Sequence, residues 1–212
     1  MIAPGRLVLA SSNAGKLDEL RMVLAPTGVE LVPQSQLGVD DAEETGATFV
    51  ENALIKARHA CRATGLPALA DDSGLCVDAL DGAPGLYSAR YAGAHGDAQA
   101  NIDALLAAMG NLPEERRGAH FYCVLVLLRR HDDPRPLIVE GQWRGCILPA
   151  RRCAGGHGYD PVFFDPVHGQ SAAEMDPALK NRISHRGLAL ARLETGLAEA
   201  LQEAHRPPLL LT

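Results

Sequence analysis

Strand-like and helix-like segments alternate along the first half of the chain, and two long strand-like runs follow as a candidate hairpin. That order restricts the chain to an α/β fold with a sheet of mixed direction. Arg6 to Ala10 is a short aliphatic run with the character of a buried strand. Lys16 to Leu24 then carries Leu17, Leu20 and Leu24 at helical spacing, and Val29 to Val32 reads as a second strand. Thr48 and Glu51 have the spacing of a capping box, which opens a helix through Val50, Leu54, Ala57 and Cys61 and closes it at Gly65-Leu66-Pro67. Ala68 to Ala70 leads into Asp71-Asp72-Ser73-Gly74, where a turn is the plain reading, and strand character resumes over Leu75 to Leu80.

Asp97 can cap a helix that runs to Met109, with Gly110 just beyond it. Ala119 to Arg129 and Leu137 to Leu148 are the longest strand candidates, and His131-Asp132-Asp133-Pro134 between them supplies the turn chemistry of an antiparallel hairpin. Arg151 to Asp160 is glycine-rich and loop-like. Ser184 can cap a last helix whose Leu190, Leu193, Leu197 and Leu201 form one apolar stripe.

With 20 basic and 26 acidic residues the net charge is −6, which disfavours a nucleic-acid partner that would need a basic surface. A local cationic pocket for a small anion remains compatible with that balance. The longest aliphatic stretch, Val124 to Leu128, is too short for a membrane span, and Met1 to Ala10 lacks the apolar length of a secretory signal. Cys61, Cys76, Cys123, Cys146 and Cys153 form no Cys-x-x-Cys pair and read as reduced core thiols of a cytoplasmic protein.

Four polar clusters carry candidate chemistry. Ser11-Ser12-Asn13-Ala14-Gly15-Lys16 lies between a strand and a helix, where free amides, hydroxyls and one lysine can bind phosphate oxygens. It is not a Walker A loop, because the first glycine and the Ser/Thr after the lysine are missing. An ordinary N-cap in a connecting loop is the other reading. Asp40, Asp41, Glu43, Glu44, Asp71 and Asp72 are hard oxygen donors of the kind Mg2+ takes, and one of them could accept a proton from attacking water. A solvated acidic face followed by a turn explains the same residues.

Gly155-Gly156-His157-Gly158-Tyr159-Asp160-Pro161 would let a flat ligand approach closely. His157 or Tyr159 could stack on a base, and Asp160 or nearby amides could read its edge. A flexible glycine loop is the alternative. Lys180, Ser184, His185 and Arg186 bring two cations close to a helix N-terminus, as anion binding requires and as an ordinary capped surface helix also shows.

Taken in order, SNAGK at Ser12 to Lys16, AEETGATFVENALIKA at Ala42 to Ala57, LADDSGLCVDALDGAPGLYSARYAG at Leu69 to Gly93, GYDPVFF at Gly158 to Phe164 and SHRGLAL at Ser184 to Leu190 resemble one family. It is the inosine triphosphate pyrophosphatase family, also called HAM1-like or non-canonical purine NTP pyrophosphatases, and the resemblance runs from Leu7 to Leu190. It implies an elongated single domain over residues 1–212, with two lobes, a long central mixed sheet, helices on its faces and a cleft between the lobes. It implies Mg2+-dependent hydrolysis of ITP, dITP and XTP to the monophosphate and pyrophosphate, which cleanses the nucleotide pool, and a homodimer.

Matched residue by residue, the resemblance assigns the triphosphate to Ser11, Ser12, Asn13, Ala14, Gly15 and Lys16. Glu44 and Asp72 become metal ligands, Asp72 is also the general base, and Ser73 touches substrate. His157, Gly158, Tyr159 and Asp160 form the base pocket, and Lys180, His185 and Arg186 complete the phosphate and base contacts. His157 stands where members usually carry an aromatic residue, and Ser11-Ser12 where Thr-Gly is common; both departures are expected to tune activity. A Maf-like nucleotide pyrophosphatase is the nearest rival, but its first loop typically reads Ser-Pro-Arg-Arg. A non-catalytic nucleotide-binding protein is the rival of a different class.

Overall fold

The aliphatic run after Gly5 forms the first strand, β1 (Arg6–Leu9), and its last three residues are buried. The computed structural model describes residues 5–11, 17, 20–21, 24–94, 96–153 and 155–204. Six further strands follow: β2 (Glu30–Pro33), β3 (Ala68–Val77), β4 (Gly118–Leu128), β5 (Leu137–Ile147), β6 (Phe163–Asp165) and β7 (Gln170–Ser171). The α-helices labelled here are α1 (Phe49–Thr64), α2 (Ala98–Met109), α3 (Pro177–Ile183) and α4 (His185–Ala204). Residues 17, 20, 21 and 24 are helical as well, in the segment expected to be a helix.

The sheet order is β2-β1-β3-β4-β5-β6-β7. β1 pairs in parallel with β2 and with β3, whereas β5, β6 and β7 pair antiparallel in succession. The sheet is therefore mixed, as the alternation followed by a long hairpin predicts. By internal contacts the chain forms two compact units. One comprises Met1–Asp72, Val124–Glu140 and Ala189–Thr212, and the other Ser73–Cys123 and Gly141–Leu188.

In the first unit, α1 shows why this sequence makes a helix here. Thr48 Oγ1 accepts a hydrogen bond from the Glu51 amide at 3.2 Å, and Glu51 Oε2 accepts from the Ala47 amide at 2.8 Å. Both terminal amides are thus satisfied, with the return bond one residue earlier than in the standard box. Gly65 ends the helix in the left-handed conformation at φ 68°. The buried side chains Ala53, Ala57, Ala60 and Cys61 lie on one face, and their small size lets the backbone pack closely. Leu190, Leu193 and Leu197 of α4 are buried at helical spacing, as their stripe predicts.

The second unit is built around Leu75, Val77, Ile102, Leu105, Met109, Phe121, Trp143, Tyr159 and Phe163. Asp97 Oδ1 caps α2 by accepting from the Ala100 amide at 3.0 Å. Three expectations are corrected. Asp71-Asp72-Ser73-Gly74 is no turn but the middle of the ten-residue strand β3. β1 pairs with β3 only at Ala68 and Leu69, and β4 is its neighbour on the other side; this pairing within the sheet overrides the local turn preference. The strand then ends at Val77, not Leu80, because Asp78–Leu80 form a 3-10 turn. Cys153 is exposed rather than in the core, with a positive φ of 65° in the glycine-rich loop. Among the described residues no helix is long and apolar enough to cross a membrane.

Candidate active site

In the first unit, two carboxylates converge on one ammonium group. Glu44 comes from the loop before α1, Lys56 from α1, and Asp72 from β3. Lys56 Nζ lies 2.9 Å from Glu44 Oε1 and 2.9 Å from Asp72 Oδ1. The loop that carries Glu44 is fixed by Asn52, whose buried Oδ1 accepts the Gly46 amide at 2.8 Å. A Cβ at Gly46 would stand 2.7 Å from that oxygen, so this close approach needs glycine.

Asp72 is 8% exposed, and burial pushes its pKa above the usual carboxylate value, with Lys56 pulling the other way. Burial works against the Lys56 charge, but Asp72, Asp71 and Glu44 outweigh it and raise its pKa. Of the acidic run, Glu44 reaches this cluster. Asp41 Oδ1 instead accepts from Gln34 Nε2 at 2.5 Å. Lys56 was absent from the sequence-derived candidates. Its only signal was a place one turn after Asn52 on the helix face that packs inward.

In the second unit, Asp160 is buried and gathers the base-loop candidates. Its Oδ2 accepts the His157 amide at 2.6 Å and also the Lys180 ammonium. A Cβ at Gly156, which has φ +88°, would fall 2.6 Å from the Asp160 Cβ, so glycine is required where the loop folds over this carboxylate. His157 itself is exposed. Tyr159 is not: it is 4% exposed, its hydroxyl donates to the Ser88 carbonyl at 2.9 Å, and burial raises its pKa. The ring belongs to the core, so the expectation that Tyr159 stacks on a base gives way to a structural role.

The fourth cluster hangs on the junction of α3 and α4. Ser184 joins them, closing α3 through its amide on the Lys180 carbonyl and capping α4 by accepting the Gly187 amide on Oγ at 3.1 Å. His185 stacks on Phe121, with ring centroids 4.9 Å apart and planes 15° from parallel. Arg186 Nη2 lies 3.5 Å from Ser73 Oγ. Ser11 follows β1 and is half-buried, whereas Ser12, Asn13, Ala14, Gly15 and Lys16 lie outside the described residues.

The description "Ham1 family" belongs to the family model that matches residues 7–195, a span that contains every candidate residue named above. The chain belongs to the Ham1 family. A dITP/XTP pyrophosphatase of Xanthomonas campestris is 68% identical over 188 residues, covering 89% of this chain and 94% of that protein. A dITP/XTP pyrophosphatase of Yersinia pseudotuberculosis is 54% identical over 195 residues, covering 92% and 99%. The solved structure of a HAM1 protein from Coxiella burnetii matches with a TM-score of 0.88 at 50% identity, covering 92% of this chain and 99% of that one.

Proposed function

We propose that the protein is a nucleoside triphosphate pyrophosphatase that hydrolyses dITP, ITP and XTP to the monophosphate and pyrophosphate. The observation that carries this reading is the pair of hard carboxylates, Glu44 and Asp72, gathered on one cation beside the strand β3. Relatives at 54–68% identity bear the name dITP/XTP pyrophosphatase, which supplies the substrate class.

Two carboxylates suit Mg2+, which keeps waters and substrate phosphates in its remaining positions. Glu44 and Asp72 would hold it, and when bound it would neutralise charge on the phosphate oxygens. Lys56 adds a fixed positive charge at the same place, and Lys16, Ser11 and the Ser12 to Gly15 loop are assigned to the triphosphate. Asp72 takes the proton of the water that attacks the α-phosphorus, and pyrophosphate leaves.

Base selection falls to the second unit. The Lys180 ammonium donates, and a 6-keto oxygen accepts where a 6-amino group cannot. An amino group placed there sets donor against donor, which supports discrimination. Asp160 orients Lys180 and the His157 amide together. His185 and Arg186 complete the contacts with Ser73. We further assign the protein to the cytoplasm as a homodimer. The test is Asp72→Asn: folded protein with turnover lowered about 1,000-fold supports the base assignment, and near-normal turnover refutes it. Sedimentation equilibrium tests the dimer.

A further inference from the structure

Gly187 carries no side chain to offer a ligand, yet its place in the fold is tightly constrained. The backbone there is ordinary helix, so no left-handed conformation calls for glycine. The constraint is space. A Cβ built on Gly187 would overlap the Asn181 carbonyl oxygen, and would stand 2.9 Å from the Asn181 carbonyl carbon and 3.2 Å from that of Arg182. These atoms are backbone of α3 and have no rotamer with which to yield. Helices α3 and α4 therefore meet at an elbow that closes only because residue 187 has no Cβ.

Both arms of that elbow carry candidate site residues. Lys180 on α3 reaches Asp160, and His185 and Arg186 on the first turn of α4 reach Phe121 and Ser73. We propose that Gly187 is a positioning residue that sets the spacing between Lys180 and the His185–Arg186 pair, and with it the discrimination between 6-keto and 6-amino purines. This rests on the substrate reading above. Phe121 provides a second, independent hold on His185. It is buried on β4, packs on Phe163 at 4.6 Å and presents its face to the His185 ring. Restoring ordinary contact around a new Cβ requires the two arms to part by more than about 1 Å, since non-bonded atoms separate at about 3.5 Å. Displacement by that much at a site of oriented contacts costs about 100-fold in rate.

The test compares wild type, Gly187→Ala, Phe121→Leu and Gly196→Ala in the full-length protein. Gly196 lies on the same helix, where the atoms nearest a new Cβ belong to the flexible Leu137 side chain, at 3.1 Å. Thermal unfolding verifies the fold, and kcat/KM is measured for dITP and dATP with magnesium. Gly187→Ala is expected to lower kcat/KM for dITP about 100-fold, to change that for dATP within about threefold, and so to collapse the ratio. Phe121→Leu collapses the ratio in part, and Gly196→Ala leaves it unchanged. A general loss of folded protein lowers both substrates equally and leaves the ratio intact, so the ratio separates positioning from stability. If Gly187→Ala does not fold, Phe121→Leu alone decides. An unchanged dITP:dATP ratio in the folded variants overturns the inference. Wild type without preference for dITP would instead refute the substrate reading on which it rests.

Discussion

Lys56→Met tests the electrostatic centre of the site. The substitution keeps an unbranched chain one atom shorter and removes the two charge-assisted hydrogen bonds, each 2.9 Å long, to Glu44 and Asp72. Bonds of this kind contribute about 1.5 kcal/mol or more apiece. The bond to Asp72 lies between two groups that are mostly shielded from water, with side chains 13% and 12% exposed, whereas the Glu44 side chain is 30% exposed. Loss of the lysine also leaves Asp72 buried near the like charges of Asp71 and Glu44 without the Lys56 charge that offsets them. The expected cost is about 3 kcal/mol in wild type and about 1 kcal/mol in an Asp72→Asn background, a coupling of about 2 kcal/mol. Urea unfolding of the four proteins at pH 7 in magnesium-free buffer measures it.

The coupling also has a pH signature. It requires both charges. The folded pKa of Lys56 is raised above 10.5, so its contribution is complete below that value and is lost as pH rises through the folded pKa. The folded pKa of Asp72 is raised above 3.8, so the coupling fades as pH falls through it. A coupling below about 0.5 kcal/mol at pH 7 would refute the reasoning.

Three further outcomes are expected. Asp133 is held by Arg129 and by the Arg129 and Arg135 amides, which outweigh burial and depress its pKa to about 2. Its contribution is present above 3.8 and is lost as pH falls towards 2; Asp133→Asn should therefore cost about 2 kcal/mol at pH 7 and almost nothing at the acid end, measured by unfolding across that window. Asp160→Ala releases Lys180 and the His157 amide, and should lower the ITP:ATP ratio of kcat/KM at least 10-fold; an unchanged ratio would move base reading elsewhere. Chelation of magnesium by EDTA should abolish hydrolysis and its return should restore it, followed by release of pyrophosphate.

Much of the fold was legible because local chemistry and tertiary structure agree. Thr48 and Glu51 announced α1, Asp97 and Gly110 bracketed α2, and Ser184 marked the start of α4. Asp71 to Gly74 misled because each residue favours turns, while the decisive term, pairing by strands distant in sequence, is not written locally. Helix α3 was overlooked because seven residues give no period to count, although Asp176-Pro177 supplied a cap and a proline at its first turn. β6 and β7, at three and two residues, are too short to show alternation.

At the site, Asp72 and Asp160 stood out by their place in the sequence, whereas Glu44 was one of several acidic residues and only the family resemblance singled it out. Lys56 did not stand out, since a lysine on a helix is ordinarily solvated and only the folded chain turns this one inward. Tyr159 was misread for the opposite reason: a tyrosine in a glycine-rich loop looks available, but its hydroxyl finds the Ser88 carbonyl and its ring fills the core.

The central claim is that this chain cleaves non-canonical purine triphosphates between the α- and β-phosphates. The most direct measurement incubates the purified protein and magnesium with dITP, XTP, ITP, ATP, GTP and dTTP, and separates the products by ion exchange. Monophosphate and pyrophosphate, formed fast from dITP, XTP and ITP and slowly from ATP, are the predicted result. Diphosphate and phosphate, or equal rates with every base, would contradict it.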